Sequence, residues 1–215
     1  MRDYLGNSNI LQKAAVLLLI LGITAISGCV KLERPSLERK YFTIDIPRDK
    51  AEPKKPESTT NLTIRRVKIS PRYEDRNLVY KTGPNSFESD YYNAFFITPA
   101  AMMTQELHSW MSDSGLFANV LGPESMGTGN LILEGVVNAI YGDYSSDPHK
   151  AILKMQFFLL DNENPGLPII YSRNFSRAIE LKDTEAKTLV SALNCGAKEI
   201  FTELERDLSE TVAKK

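Results

Sequence analysis

Nine apolar residues near the end of the chain, Ala186, Leu189, Val190, Leu193, Ala197, Ile200, Phe201, Leu204 and Leu208, recur at steps of three and four. At 3.6 residues per turn they line one side of a helix for about six turns. A helix so long and so one-sided must lay its stripe on an apolar surface supplied by the rest of the chain.

Strands supply that surface. In AILKMQFFLL, Ala151, Leu153, Met155, Phe157 and Leu159 share one face, and Ile152, Phe158 and Leu160 make the other partly apolar. That pattern suits an interior strand. Residues 131–140 (LILEGVVNAI) read as its hairpin partner around a turn at 142–149, and Pro165-Gly166 turns the chain into a strand at 169–177. Upstream, residues 41–46 (YFTIDI) alternate like a strand, and Pro47 ends it. Residues 61–69 (NLTIRRVKI) are a strand whose parity changes at Arg65-Arg66, the mark of a bulge. Leu78-Val79-Tyr80 is a short strand and Gly83-Pro84-Asn85 a turn. Thr98, a capping residue, precedes Pro99 and opens a first helix with Met103, Leu107, Trp110 and Met111 on one face. Gly115 closes it, residues 116–121 look like a strand, and Asp183 is the expected cap of the last helix.

The other end of the chain sets where the protein resides. Arg2 and Lys13 frame a weakly basic start, and residues 14–26 carry no charge. Thirteen helical residues reach about 20 Å, short of the roughly 30 Å hydrocarbon core, so the segment reads as an export signal. Ile26-Ser27-Gly28-Cys29 follows and resembles the bacterial lipobox, a branched residue and two small residues before a cysteine. Cleavage between Gly28 and Cys29 frees an α-amino group beside the thiol. The thiol takes a diacylglyceryl group and the amine a further acyl chain, and two or three chains anchor stably where one does not. No other cofactor is expected. Val30, rather than Asp, favours the outer membrane facing the periplasm, with the inner membrane as the alternative. The expected organisation is a signal peptide at 1–28, a lipidated tether with a Pro/Lys-rich loop at 29–60, and a periplasmic domain at 61–215.

Charge and motifs exclude several functions. Removing residues 1–28 leaves 24 basic against 26 acidic residues, so no basic excess points to nucleic acid. His108 and His149 have no second ligand at zinc spacing. Gly127-Thr128-Gly129 lacks the Lys-Ser/Thr of a phosphate loop and reads as a plain loop. No G-x-S-x-G occurs, and the carboxylates are scattered, so no enzyme is expected. Cys195, left without a partner once Cys29 is lipidated, reads as a small buried apolar residue. The aromatic run YYNAFF offers two readings. Tyr91, Tyr92, Phe95 and Phe96 either cover the first helix or form a surface that meets a lipid or a partner protein.

The order of these blocks resembles a known family. The lipobox precedes Tyr41-Phe42-Thr43-Ile44, then LTIRRVKISPRYEDRNLVYKT, then ITPAAMMTQELHSWMSDSGLFANV, and finally LILEGVVNAI, AILKMQFFLLD and a long helix with Ser191-Ala192-Leu193. Together they are similar to the ABC-type transport auxiliary lipoproteins that accompany MCE-family lipid transporters of the paraquat-inducible type. One departure is that the only tryptophan is Trp110, whereas many relatives carry one before the first helix. The resemblance implies an α/β (α+β-like) domain, a mixed sheet packed by two main helices, similar to the anticodon-binding-like fold of the TolB N-terminal domain. It implies no catalysis, a periplasm-spanning MCE-domain partner, phospholipid transport and ring-like self-association. A lipid-binding carrier and an envelope-scaffold lipoprotein of TolB-like fold are the alternatives.

Overall fold

The computed structural model describes Lys13 and residues 38–48 and 58–214. The signal segment apart from Lys13, Cys29, residues 30–37 and the Pro/Lys-rich stretch 49–57 lie outside the described residues. A compact unit spans Glu38–Lys215, so residues 38–48 of the segment read as a tether belong to the fold.

Nine strands and two α-helices make up the described unit. In chain order they are β1 (Lys40–Phe42), β2 (Asn61–Ile64), β3 (Lys68–Ile69), β4 (Asn77–Lys81), β5 (Phe87–Phe95), α1 (Pro99–Ser112), β6 (Asn119–Leu121), β7 (Leu131–Asp143), β8 (Lys150–Asp161), β9 (Ile169–Glu180) and α2 (Ala186–Val212). One mixed sheet holds all nine strands, as expected of an α/β class with two main helices. β7 is its axis. On one side β7, β8 and β9 run as an antiparallel meander. On the other, β2, β3 and β4 take turns along β7, each parallel to it, at residues 131–133, 136–137 and 142–143. β6 flanks β2, and β5 flanks β4 with β1 outside it.

The parity change in NLTIRRVKI explains that relay. Leu62 and Ile64 point into the core, and after Arg65-Arg66 so does Val67. The strand divides into β2 and β3, while the Arg65 N–H still donates to Leu133 O at 3.0 Å. The core face of β8 carries Leu153, Met155, Phe157 and Leu159, all buried together with Leu193, Ala197, Ile200, Phe201 and Leu204 of α2. Phe157 meets Phe201 edge-on at 6.4 Å and Phe175 at 5.9 Å. Each such side chain contributes about 1.5–3 kcal/mol through burial, so the periodic stripe is the main force holding α2 to the sheet.

Several local expectations need correction. Cys195 is exposed, not buried. It lies two residues, about 200° of helix rotation, from the buried Leu193, which places it on the outer side of α2. Its Sγ sits 3.9 Å from Glu199 Oε1. Asp183 is not the cap of α2, because Glu185 holds that position. The Asp183 carboxylate instead accepts the Glu185 N–H at 2.9 Å and shapes the turn into the helix. Thr98 does sit at the α1 cap, but through its carbonyl, which accepts from Ala101 N and Met102 N, and not through its side chain. Gly115 takes the left-handed φ of 71° just beyond α1. The strand read at 41–46 stops at Phe42. Residues 43–46 then run along α1, where Ile44 N donates to Met102 Sδ at 3.4 Å and Ile46 N to Glu106 Oε2 at 2.9 Å.

Candidate functional site

The aromatic run lies on the second half of β5 and the residue that follows it, and its residues divide between core and surface. Phe95 is 3% exposed and packs with the core, which removes it as a surface contact. Phe96 is 61% exposed, Tyr91 72% and Tyr92 42%. Strict alternation fails here because the β4–β5 register shifts between Asn77 and Val79. Ala94 and Phe95 consequently both turn inward, and Tyr91 and Tyr92 both turn out, their rings edge-to-face at 5.2 Å. Asp90 fixes the turn. Its carboxylate accepts the N–H groups of Tyr92 and Asn93 at 2.8 and 2.9 Å, the Asn93 amide at 2.8 Å and the Tyr80 hydroxyl at 2.7 Å. Burial pushes the Asp90 carboxyl up, but these four donors outweigh it and hold it below the usual range. Burial and the bond to Asp90 push the Tyr80 phenol up.

Residues some fifty positions upstream complete the surface. β1 pairs in parallel with β5, Tyr41 opposite Ala94, and the Phe96 N–H donates to Phe42 O at 2.8 Å. Tyr41, half-exposed, meets Phe96 edge-on at 6.4 Å. The Arg39 guanidinium stands 5.9 Å from the Tyr41 ring and 5.7 Å from the Tyr91 ring. It also donates to the Asn77 side chain. Arg76, from the loop before β4, lies 5.9 Å from the Tyr41 ring and donates to Phe96 O at 3.2 Å. Sequence reasoning found Tyr91, Tyr92 and Phe96 but missed Tyr41, Arg39 and Arg76. The usable signal was the alternation of Arg39 and Tyr41 with Lys40 and Phe42, which presents two amphipathic side chains on one side of an edge strand. With Ile97 beside it, the result is a patch of exposed rings with two guanidiniums within about 6 Å of them.

Other concavities among the described residues mix polar and apolar side chains. One cleft of about 370 Å³ is lined by Tyr80, Glu88, Asp90, Asn93, Tyr144 and His149 among others. Another, of about 710 Å³, is lined by residues including Arg66, Ile97, Thr104, His108, Gly122 and Glu124. His108 Nε2 lies 3.3 Å from Val120 O and His149 Nδ1 2.9 Å from Ser146 O. Among the described residues no group of three His, Cys, Asp or Glu side chains is placed to hold a metal. Nor is any helix among them long and apolar enough to cross a membrane.

No family model matches the chain, and no curated protein matches it. Solved structures do. A Xanthomonas campestris protein of the family DUF330 superposes with a TM-score of 0.71 at 16% identity, over 81% of this chain and 98% of its own. An uncharacterised protein gives 0.64 at 13% identity, over 80% and 99%. A hypothetical protein from Chlamydia trachomatis gives 0.51 at 7% identity, over 74% and 100%. At these identities the likeness is one of fold. The superposition takes in nearly the whole of each of those three chains.

Proposed function

We propose that this chain is a membrane-anchored, non-enzymatic auxiliary lipoprotein of an ABC/MCE-type transport system, assisting phospholipid movement across the periplasm. The observation that carries the reading is the lipobox at Cys29, only nine positions before the compact unit begins at Glu38. Acyl chains on Cys29 convert a globular domain into a surface-bound one without any spanning helix. The order of sequence blocks shared with the auxiliary lipoproteins supports the transport role, and an MCE-domain protein is the partner it implies. Val30 after the cysteine supports the outer membrane as the site of anchoring, its periplasmic face in particular.

An adaptor role is favoured over a carrier by the interior of the fold. A carrier needs an apolar cavity of some 300–1,000 Å³ for acyl chains. The space between sheet and helices is filled by fully buried side chains such as Met103, Leu133, Met155, Phe157 and Phe201. The clefts described above are open to the surface and lined by a mixture of polar and apolar side chains, so neither is an enclosed apolar cavity.

Crosslinking in intact membranes tests the partner: the expected result is capture of an MCE-domain subunit, and recovery of unrelated proteins alone overturns the transport role. Replacing Cys29 with Ser tests the anchor. The variant is expected to lose metabolic labelling by palmitate, and a C29S chain that still incorporates the label overturns the lipid-anchored reading.

A further inference from the structure

We propose that the patch of Tyr41, Tyr91 and Phe96, with Arg39 and Arg76 among them, rests on the phospholipid surface that carries the anchor, so that the domain sits on its membrane edge-down on β1. The proposal rests on lipidation of Cys29 and goes further, by assigning an occupant to the exposed rings.

Chain length is the first argument. Arg39 lies ten positions after Cys29, and ten residues span at most about 35 Å. β1 enters the fold directly from that tether, and it is the outermost strand of its arm of the sheet. The bilayer is therefore a surface that the covalent anchor holds against this edge of the domain. A short tether gives the patch an effective concentration at the lipid on the order of millimolar, so that a weak intrinsic affinity suffices for docking.

The chemistry of the patch is the second. Tyr41, Tyr91 and Tyr92 each join an apolar ring to a polar hydroxyl, which suits the level of the headgroups. Phe96 and Ile97 add apolar side chains that are 61% and 39% exposed. The Arg39 and Arg76 guanidiniums stand 5.7–5.9 Å from the ring centroids, with the nearby Lys40 adding a third positive charge. Guanidinium groups pair with lipid phosphates, and Glu38 is the one carboxylate in the run 38–41. A protein partner would also find rings and arginines here, but no observation ties such a partner to this edge, whereas the tether ties the membrane to it.

The test uses the full mature chain carrying Cys29→Ser, which has no acyl chains, mixed with vesicles of phosphatidylethanolamine and phosphatidylglycerol at the roughly millimolar lipid that the tether would supply. The chain is expected to co-sediment with the vesicles and to be released by salt. Tyr41→Ser/Tyr91→Ser/Phe96→Ser is expected to weaken binding about tenfold or more, and Arg39→Gln/Arg76→Gln by about tenfold with a shallower salt dependence. A lipid-free parent that does not bind, or a triple variant that binds as the parent does, overturns the proposal. Should the triple variant misfold, Tyr91→Trp in the lipidated chain serves instead, since position 91 is exposed. Its added fluorescence should be quenched by brominated lipid, and unquenched emission overturns the proposal. If patch variants bind vesicles normally but lose a crosslinked protein, the surface belongs to that protein and the membrane assignment fails. The anchor reading fails separately: mass analysis would find residue 29 of the native protein unmodified.

Discussion

Arg48 holds the carboxylate of Glu205 with both terminal nitrogens, at 2.7 and 3.0 Å. Trp110 Nε1 donates to the same carboxylate at 2.8 Å, and the Arg48 guanidinium lies 4.6 Å over the indole ring while donating to Trp110 O at 2.9 Å. Three parts of the chain meet there: the segment after β1, the last turn of α1 and the second half of α2. The only tryptophan of the chain thus serves as a clasp between helices, and its other edge packs on Phe201 at 5.9 Å.

Removing the arginine should loosen that clasp. Arg48 and Glu205 are only about a fifth exposed, so solvent screens the pair less than a surface bridge. A charge-assisted pair of this kind contributes about 2 kcal/mol. Arg48→Ala is expected to lower the melting temperature of the mature chain by roughly 4–8 °C. Arg48→Lys should recover only part, because a lysine cannot bridge both carboxylate oxygens. Glu205→Ala should cost more than Arg48→Ala, since it strands the Trp110 N–H as well as the guanidinium. Thermal unfolding followed by circular dichroism measures all three, and a Glu205→Ala variant as stable as the parent would remove the clasp from the account.

Gly129 marks a place where backbone packs on backbone. A Cβ there would stand 2.4 Å from Asn61 O, while its N–H donates to Thr63 Oγ1 at 2.7 Å and its carbonyl accepts from Asn162 at 2.8 Å. The Gly127-Thr128-Gly129 segment therefore ends in a pinned residue that keeps β2 close to the start of β7. Gly129→Ala must push β2 aside and is expected to destabilise by about 1–3 kcal/mol. Gly127→Ala meets nothing nearer than 3.6 Å and should change stability by less than about 0.5 kcal/mol. Equal denaturant midpoints for the two variants would contradict this packing.

Side-chain periodicity made some of this legible and left other parts hidden. The stripe on α2, the alternation of β8 and the parity change at Arg65-Arg66 are local, so the amphipathic helix, the central hairpin and an irregularity within 61–69 are legible, the last as a bulge in one strand and not as the division into β2 and β3. Which strands lie side by side is a long-range matter, and the pairing of β1 with β5 left no local trace. For that reason Tyr91, Tyr92 and Phe96 were identified without Tyr41, Arg39 and Arg76, and Phe95 was grouped with them although a register shift turns it inward. Cys195 was misplaced for a different reason. Its residue type favours burial, whereas its helical phase, opposite Leu193, decides exposure.

The position of Cys195 yields a chemical test. With an exposed Sγ on the outer side of α2, it should react with a maleimide in the folded protein without denaturant. On the proposed lipidation of Cys29, native protein extracted from membranes should take up a single equivalent, and Cys195→Ser should take up none. A second reactive thiol in the native chain would place a free sulfhydryl at residue 29.

Acid should reveal the ladder between β9 and α2. Glu203 accepts from Arg177 at 2.6 Å and Arg173 at 2.5 Å, and Asp207 from Arg173 at 2.6 Å and Tyr171 at 2.9 Å. The Arg177 bond, followed by the nearby Arg173, holds the Glu203 carboxyl below its ordinary range despite some desolvation. Burial pushes Asp207 up, but the bonds from Arg173, Tyr171 and Arg206 outweigh it and leave it lowered. A carboxyl depressed in the folded state binds protons more readily in the unfolded chain. Its stabilising effect is complete above the unfolded pKa of about 4, and is lost as pH falls through the folded value. Arg173→Ala/Arg177→Ala should therefore be less stable than the parent at neutral pH, and the gap should narrow steadily below about pH 4. Urea unfolding of both chains at neutral pH and near pH 3 reads the difference. A gap of constant size across that range would mean that the arginines act by packing their stems on α2 and not through the two carboxylates.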